Sequence, residues 1–243
     1  MLFNSLSYLL FFPAVVLLYY VIPWQRARNG MLLVASYYFY MCWDPRFILL
    51  MLGCTVITYL CGRFVDIAQR EEAAGVAPEK RHTGRAALYT AVTLVFMLAV
   101  LAWFKYANFL TETLAALLGA VGVRWEVPHF NVALPVGISF FTFQLIAYLV
   151  ACYRSEMKQY DFVNYLLFIT FFPQLIVGPI IHHAEVVPQF ENEKNLRLNF
   201  DHIALGLFLF SIGCAKKILL ADPMTTDAEK FFKFTLAFAA RNL

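Results

Sequence analysis

The side chains that could do chemistry are few and oddly placed. His182 and His183 stand together, with Glu185 two positions on, immediately after the run FFPQLIVGPII. A histidine can take a proton as a general base or ligate a metal through a ring nitrogen. Adjacent positions on a helix or strand point apart, however, and no second histidine lies one helical turn away, so the spacing does not describe a metal site. The pair reads as interfacial loop histidines, with contact to a substrate as the alternative. His82 lies in a charged segment and His129 follows Pro128, and both read as ordinary loop histidines. The five cysteines (Cys42, Cys54, Cys61, Cys152 and Cys214) show neither a CxxC pattern nor a disulfide framework. They read as small buried hydrophobes. Gln144 and Gln174 differ, because each sits in a strongly apolar run with two donors and an acceptor to satisfy. Such residues either bridge neighbouring helices or line a cavity.

The elements that must position these groups are LPVGISFFTFQLIAYLV and YLLFITFFPQLIVGPII, which span residues 134–181 with a short polar loop between them. Pro135 and Gly137 open the first. Pro173, Gly178 and Pro179 interrupt the second, which is expected to be kinked or re-entrant. Broken backbone at membrane depth is tolerated only where protein or a water-filled cavity covers the freed polar groups. The pair is therefore expected to wall a pathway.

Composition says where the chain lives. Of its 243 residues 61% are hydrophobic and 14% charged, with a mean hydropathy of +0.66. Soluble domains carry about 25% charged residues, so this chain cannot cover a water-facing surface. The apolar runs are continuous rather than alternating, which excludes a barrel. A net charge of +3 spread along loops gives no nucleic-acid footprint. The lipid bilayer is the partner that composition demands. The fold class is all-α: a polytopic helical membrane protein with about 6–8 membrane helices, some short, kinked or re-entrant.

Taken in order, 2–22 is an uncharged first span, followed by a loop at Pro23–Asn29 and a short aromatic run at Gly30–Cys42. A Trp43-Asp44-Pro45 turn leads into Phe47–Gly62, and 63–85 is a charged connector. Ala86–Phe104 spans again, and Ala107–Gly122 is expected as a separate element, either along the interface or inside the bundle. The last apolar run, Asp201–Leu220, starts from an Asn199 or Asp201 cap and is expected to end near Lys216-Lys217. Nine Lys and Arg residues fall in the loops on one side (Arg26, Arg28, Arg63, Arg70, Lys80, Arg81, Arg85, Arg154, Lys158), against five on the other. By the positive-inside rule the N-terminus faces outward.

Three segments, LPVGISFFTFQ (134–144), FFPQLIVGPIIHHAEVVPQF (171–190) and GCAKKILLADP (213–223), resemble the membrane-bound O-acyltransferase family, and the opening LFNSLSYLLFF does so too. The likeness is to the bacterial branch that includes alginate O-acetyltransferase, and it covers about residues 1–223, leaving 224–243 as a divergent tail. The resemblance implies an integral protein of the bacterial inner membrane that O-acetylates an extracytoplasmic polysaccharide or cell-wall polymer. It implies no bound cofactor, and an acyl donor that is acetyl-CoA or another acyl thioester arriving from the cytoplasm. It also implies partners: the polysaccharide acceptor, and an extracytoplasmic acetyltransferase or the remaining half of the enzyme.

On that resemblance Gln144, Pro173, Gln174, Gly178, Pro179, His182 and His183 are the candidates to line the funnel or substrate pathway. The family's catalytic histidine stands in a later Trp-His-Gly-like context that does not occur in this chain. His182 and His183 therefore inherit no catalytic role, and the chain reads as the N-terminal part of such an enzyme, inactive alone. The alternative is a non-enzymatic membrane subunit or a transport-pathway component. A transporter would show internal repeats at the two broken segments, and none is evident.

Overall fold

A computed structural model describes residues 5–72, 84–122, 130, 133–156, 159–175, 181, 183–192, 198–225, 228 and 230–231. Among them there is no strand. The helices are α1 (Leu6–Val21), α2 (Gln25–Met41), α3 (Phe47–Glu72), α4 (Gly84–Ala120), α5 (Ile138–Tyr153), α6 (Phe162–Thr170), α7 (Phe172–Leu175), α8 (His183–Glu191) and α9 (Phe200–Ala215), the last continuing into a π-helical stretch at Lys216–Ala221. Three helical runs are long and apolar enough to cross a membrane: Phe47–Arg70, Gly84–Ala120 and Phe200–Thr225. Leu6–Val21 and Ile138–Tyr153 are shorter apolar helices. The protein is an all-α polytopic membrane protein.

Leu10–Leu196 form one compact unit. In it α3 packs along both α4 and α5, α2 packs along α6 and α7, and α6 packs against α8. The α3–α5 contact is close because Gly62 has no side chain: a Cβ there would lie 3.1 Å from the Tyr148 ring and 3.2 Å from Cys152 Sγ. Leu2–Leu9 and Arg197–Leu243 form a second unit. There Asn199 caps α9, its Oδ1 accepting from Asp201 N and His202 N. No residue of α9 is buried, and its apolar side chains face outward all round, as a helix in lipid requires.

Four local expectations change. Helix α2 begins at Gln25, so the loop expected at Pro23–Asn29 shrinks to a corner. There Trp24 is extended and the Arg28 guanidinium stacks 4.9 Å over Tyr19. Gln and Arg are good helix formers, and nothing after Pro23 obliges the chain to stay extended. Ala107–Gly122 is not a separate element, because α4 runs unbroken from Gly84 to Ala120. At about 1.5 Å per residue that helix is far longer than the hydrocarbon core is thick. Its polar stretch suggested a turn, but it contains no Pro, and Asn108 instead uses both ends of its amide to hold the backbone of Phe130 (3.0 and 2.9 Å). The chain does not leave helix at Lys216-Lys217. The wider π turn brings Lys217 Nζ within 2.8 Å of Asp222 Oδ1, five residues on, so the cation finds a carboxylate rather than a helix end. Finally, only Cys54, Cys61 and Cys152 are buried; Cys214 is half-buried and Cys42 is exposed at the corner after α2.

The Trp43-Asp44-Pro45 turn forms as expected. Asp44 accepts from the Arg46 side chain and backbone N–H, and these bonds hold its carboxyl below the usual range.

Gly137 and Gly53 make contrasting tests. Gly137 has φ +73°, and a Cβ there would meet the Leu175 carbonyl at 2.8 Å, whereas the Cβ position on Gly53 faces open space. Gly137→Ala is expected to cost more than about 1 kcal/mol, and Gly53→Ala, inside α3, to add roughly 0.5–1 kcal/mol. Thermal unfolding in detergent checks this, and shifts of the same sign in both variants would contradict it.

Candidate functional site

The interrupted helix is built residue by residue. Asp161 caps α6, its carboxylate accepting from Val163 N at 3.2 Å. The helix stops at Thr170 and the backbone turns extended at Phe171 (φ −54°, ψ 110°), two residues before Pro173. Pro173 falls inside the first turn of α7, where a missing N–H leaves no bond unmade. The groups freed by the break find partners. Phe172 N donates to Ser36 Oγ of α2 at 3.2 Å, and Ser36 in turn donates to Leu32 O at 2.8 Å. The Phe168 carbonyl accepts from Gln174 Nε2 at 2.9 Å. The amides of Gln174 and Leu175 donate back to Phe171 O. Phe172 is wedged against Phe11 and Phe39 at ring separations of 5.3 and 5.6 Å. Opposite the break, Tyr40 Oη donates to Val136 O, and bare Gly137 admits the Leu175 carbonyl.

A second constellation lies where the C-terminal halves of α3 and α5 meet the start of α6 and α8. His183, expected in an interfacial loop, instead opens α8 and is only 2% exposed. Its Nδ1 lies 2.9 Å from Tyr160 Oη, and its ring meets Tyr148, Tyr160 and Phe168 edge-on. Tyr160 lies between α5 and α6, and burial, followed by the nearby Glu191 carboxylate, pushes its phenol above the ordinary range. A protonated phenol can donate to or accept from an imidazole Nδ1, so the tautomer of His183 sets the direction of this bond. Tyr59 Oη donates to the Tyr160 carbonyl at 3.3 Å and so fixes this segment. Deeper in, Tyr165 Oη pairs with Thr58 Oγ1 at 2.7 Å, and the Tyr148 ring stacks 4.2 Å from Tyr165. At the far end of α8, Asn29 Nδ2 donates to Asn164 Oδ1 (2.8 Å) and to Phe190 O (3.0 Å), while Asn164 donates to Glu191 (3.1 Å). Helix α8 is thus tied at both ends by hydrogen bonds.

Gln174 and Pro173 meet at the break, where Gln174 serves its own backbone rather than a neighbouring helix. Gln144 is 5% exposed on α5, and its side-chain amide makes no hydrogen bond among the described residues. His183 belongs to the second constellation. Gly178, Pro179 and His182 lie outside the described residues. Sequence reasoning missed Thr58, Tyr148, Tyr160, Tyr165, Asn29 and Asn164. A readable signal existed in the one-turn spacing of Gln144, Tyr148 and Cys152 on α5, and of Thr55, Thr58 and Gly62 on α3.

A polytopic bundle of apolar helices with one broken helix and polar side chains buried between them defines an integral membrane protein. Residues 82–240 match the model of MBOAT, the membrane-bound O-acyltransferase family, a match that extends past residue 223. The chain belongs to that family. It is similar to the probable alginate O-acetylase AlgI of Pseudomonas aeruginosa, with 34% identity over 234 residues, covering 96% of this chain and 42% of that protein. It is also similar to the peptidoglycan O-acetyltransferase of Helicobacter pylori, with 33% identity, covering 94% of this chain and 46% of that one. With the probable alginate O-acetylase AlgI of Azotobacter vinelandii the identity is 36%, over 96% of this chain and 44% of the relative. The chain therefore spans less than half the length of these relatives. No solved structure matches it.

Two variants test the hydrogen-bond assignments. Ser36→Ala removes the Oγ acceptor of the buried Phe172 amide and is expected to cost about 1–3 kcal/mol, while Tyr160→Phe removes one bond and costs about 1 kcal/mol. Chemical denaturation in detergent reads both, and a neutral Ser36→Ala would show that the break is satisfied in another way.

Proposed function

We propose that this chain contributes one wall and the donor-facing end of a membrane O-acyltransferase that acetylates an extracytoplasmic polysaccharide or cell-wall polymer. The observation that carries the proposal is the similarity over nearly the whole chain to proteins named as alginate O-acetylase and peptidoglycan O-acetyltransferase. The broken α6–α7 element and the pathway candidates Gln144, Pro173, Gln174, Gly178, Pro179, His182 and His183 then border the passage between donor and acceptor. The donor is acetyl-CoA or another acyl thioester. It approaches the end of the bundle where α2 and α6 begin and α3 and α5 end.

That end is taken as cytoplasmic, with the N-terminus outside and the protein in the bacterial inner membrane. Supporting this, Arg26, Arg28, Arg63, Arg70, Arg85 and Arg154 gather there. A cationic rim also suits the phosphates of a nucleotide-bearing thioester. In the transfer, an acceptor hydroxyl attacks the thioester carbonyl, the carbon–sulfur bond breaks, and the hydroxyl proton ends on the leaving thiolate. A base must take that proton, because a hydroxyl is a poor nucleophile near neutral pH. His183 is walled in by aromatic rings, and no Trp-His-Gly context occurs in the chain. The group that moves the proton is assigned to sequence outside residues 1–243, and residues 1–223 to the shared membrane domain.

Purified chain given acetyl-labelled thioester and a glycan acceptor is expected to release no labelled product above background. Adding the remaining part of a longer relative is expected to restore turnover. Robust transfer by the chain alone would overturn the assignment of the proton-transfer group.

A further inference from the structure

Helix α4 has 37 residues and is about 55 Å long. A hydrocarbon core about 30 Å thick cannot hold it, since even at a tilt of about 40° it spans about 42 Å along the bilayer normal. The uncharged stretch at residues 86–104, bracketed by Arg85 and Lys105, matches the core, so the half after Lys105 emerges from it. Asn108, Thr111, Glu112 and Thr113 mark the emergence. Gly122 then closes the helix with φ +86°, its N–H donating back to Gly119 O at 3.0 Å. The side chains that α4 buries in the bundle are Ala86, Thr90, Thr93, Met97 and Leu101, all of them before Lys105. The emerging half has no such cover.

That half is nonetheless apolar along one line. Trp103, Ala107, Leu110, Leu114, Leu117 and Val121 recur at intervals of 4, 3, 4, 3 and 4, the seam of a coiled coil, with 107, 114 and 121 at the a positions and 103, 110 and 117 at d. None of the six is buried, and Leu110, Leu114, Leu117 and Val121 are 51%, 47%, 62% and 81% exposed. A groove of about 310 Å³ is lined by Phe130 together with Ala107, Leu110 and Thr111, the a, d and e positions that receive a side chain from a facing helix. The residues flanking the seam at e and g (Thr111, Thr113, Leu118 and Ala120) carry no charge, and Glu112 stands at f, on the far side.

We propose that α4 pairs with α4 of a second copy of this chain, in a parallel two-stranded coil along residues 103–121. Two copies inserted in the same orientation bring α4 out on the same side, parallel and at the same height. A twofold axis along the bilayer normal then sets each a and d residue against its own counterpart, as an in-register seam requires. Uncharged flanks let identical helices meet without like-charge repulsion, and they offer nothing that would select a different helix. Anchorage in the bundle also supplies the alignment that a free helix of this length would lack. Pairing through this seam requires the membrane placement of α4 and does not depend on acyl transfer.

The test is sedimentation equilibrium of the whole chain in mild detergent, backed by disulfide cross-linking in membrane vesicles. The wild-type chain is expected to sediment as a dimer. The double change Leu110→Glu with Leu117→Glu sets like charges against each other at two d positions and is expected to raise the dimer Kd at least about tenfold. Phe109→Glu is the control: Phe109 is 63% exposed but sits at c, away from the seam, and its dimer is expected to be unchanged. All three positions lie outside the bundle core, so the variants keep the fold. In a Cys42→Ser background, Leu114→Cys is expected to cross-link under mild oxidation and Phe109→Cys to stay monomeric. A monomeric wild-type chain, which lipid or an unrelated protein on the seam would give, overturns the proposal. So does a dimer that survives the double change, or cross-linking from position 109 as efficient as from position 114.

Discussion

In hydrocarbon no water waits to pair with a peptide group, and each one left free costs several kcal/mol. The architecture between α5 and α8 follows from meeting that demand at one place, the step from α6 to α7. Ser36 supplies an acceptor from another helix, Gln174 supplies a donor from two turns along, and Gly137 makes room for the Leu175 carbonyl. Remove these and the break becomes a defect. With them it is a rigid corner, backed by the Phe11, Phe39 and Phe172 rings.

The same demand explains why the buried side chains of the second constellation are hydroxyls, amides and an imidazole, with its one carboxylate, Glu191, exposed. A charge buried without a partner shifts its ionisation or destabilises the fold, whereas hydroxyls, amides and an imidazole can be met one bond at a time. Thr58 with Tyr165, Tyr160 with His183, and Asn29 with Asn164 are such bonds, each joining segments far apart in the chain. The Tyr160–His183 bond, with those from Asn29 to Phe190 O and from Asn164 to Glu191, holds the short helix α8, whose nine residues would not form a stable helix in isolation. The charged pairs stay at the rim, where Arg70–Asp66 and Arg154–Glu156 are open to solvent and add little.

Membership of the membrane-bound O-acyltransferase family gives these features a setting. A helix broken beside a polar bundle end keeps its freed backbone groups paired within the protein rather than exposed to lipid. The chain spans less than half of the similar proteins' length.

The helical membrane class was legible from composition and continuous apolar runs, because a bilayer imposes length and hydropathy on every span before any tertiary contact forms. The break near Pro173, the Asn199 cap and the Asp44 turn were legible too, since each rests on a residue acting on its own backbone. What the chain's order could not reveal was which polar groups meet. Tyr148, Tyr160 and Tyr165 read as three aromatics among thirteen tyrosines until packing placed their hydroxyls at Gln159, His183 and Thr58. His183 looked like a loop residue because its neighbours are polar and the helix it opens is short. The same gap hid the continuity of α4, where local polarity argued for a turn and Asn108 was in fact tying down a distant backbone. Local sequence determined the elements and their breaks. Only the tertiary structure decided the partners, because a hydrogen bond between helices depends on packing distances of a few ångströms that no spacing along one helix encodes.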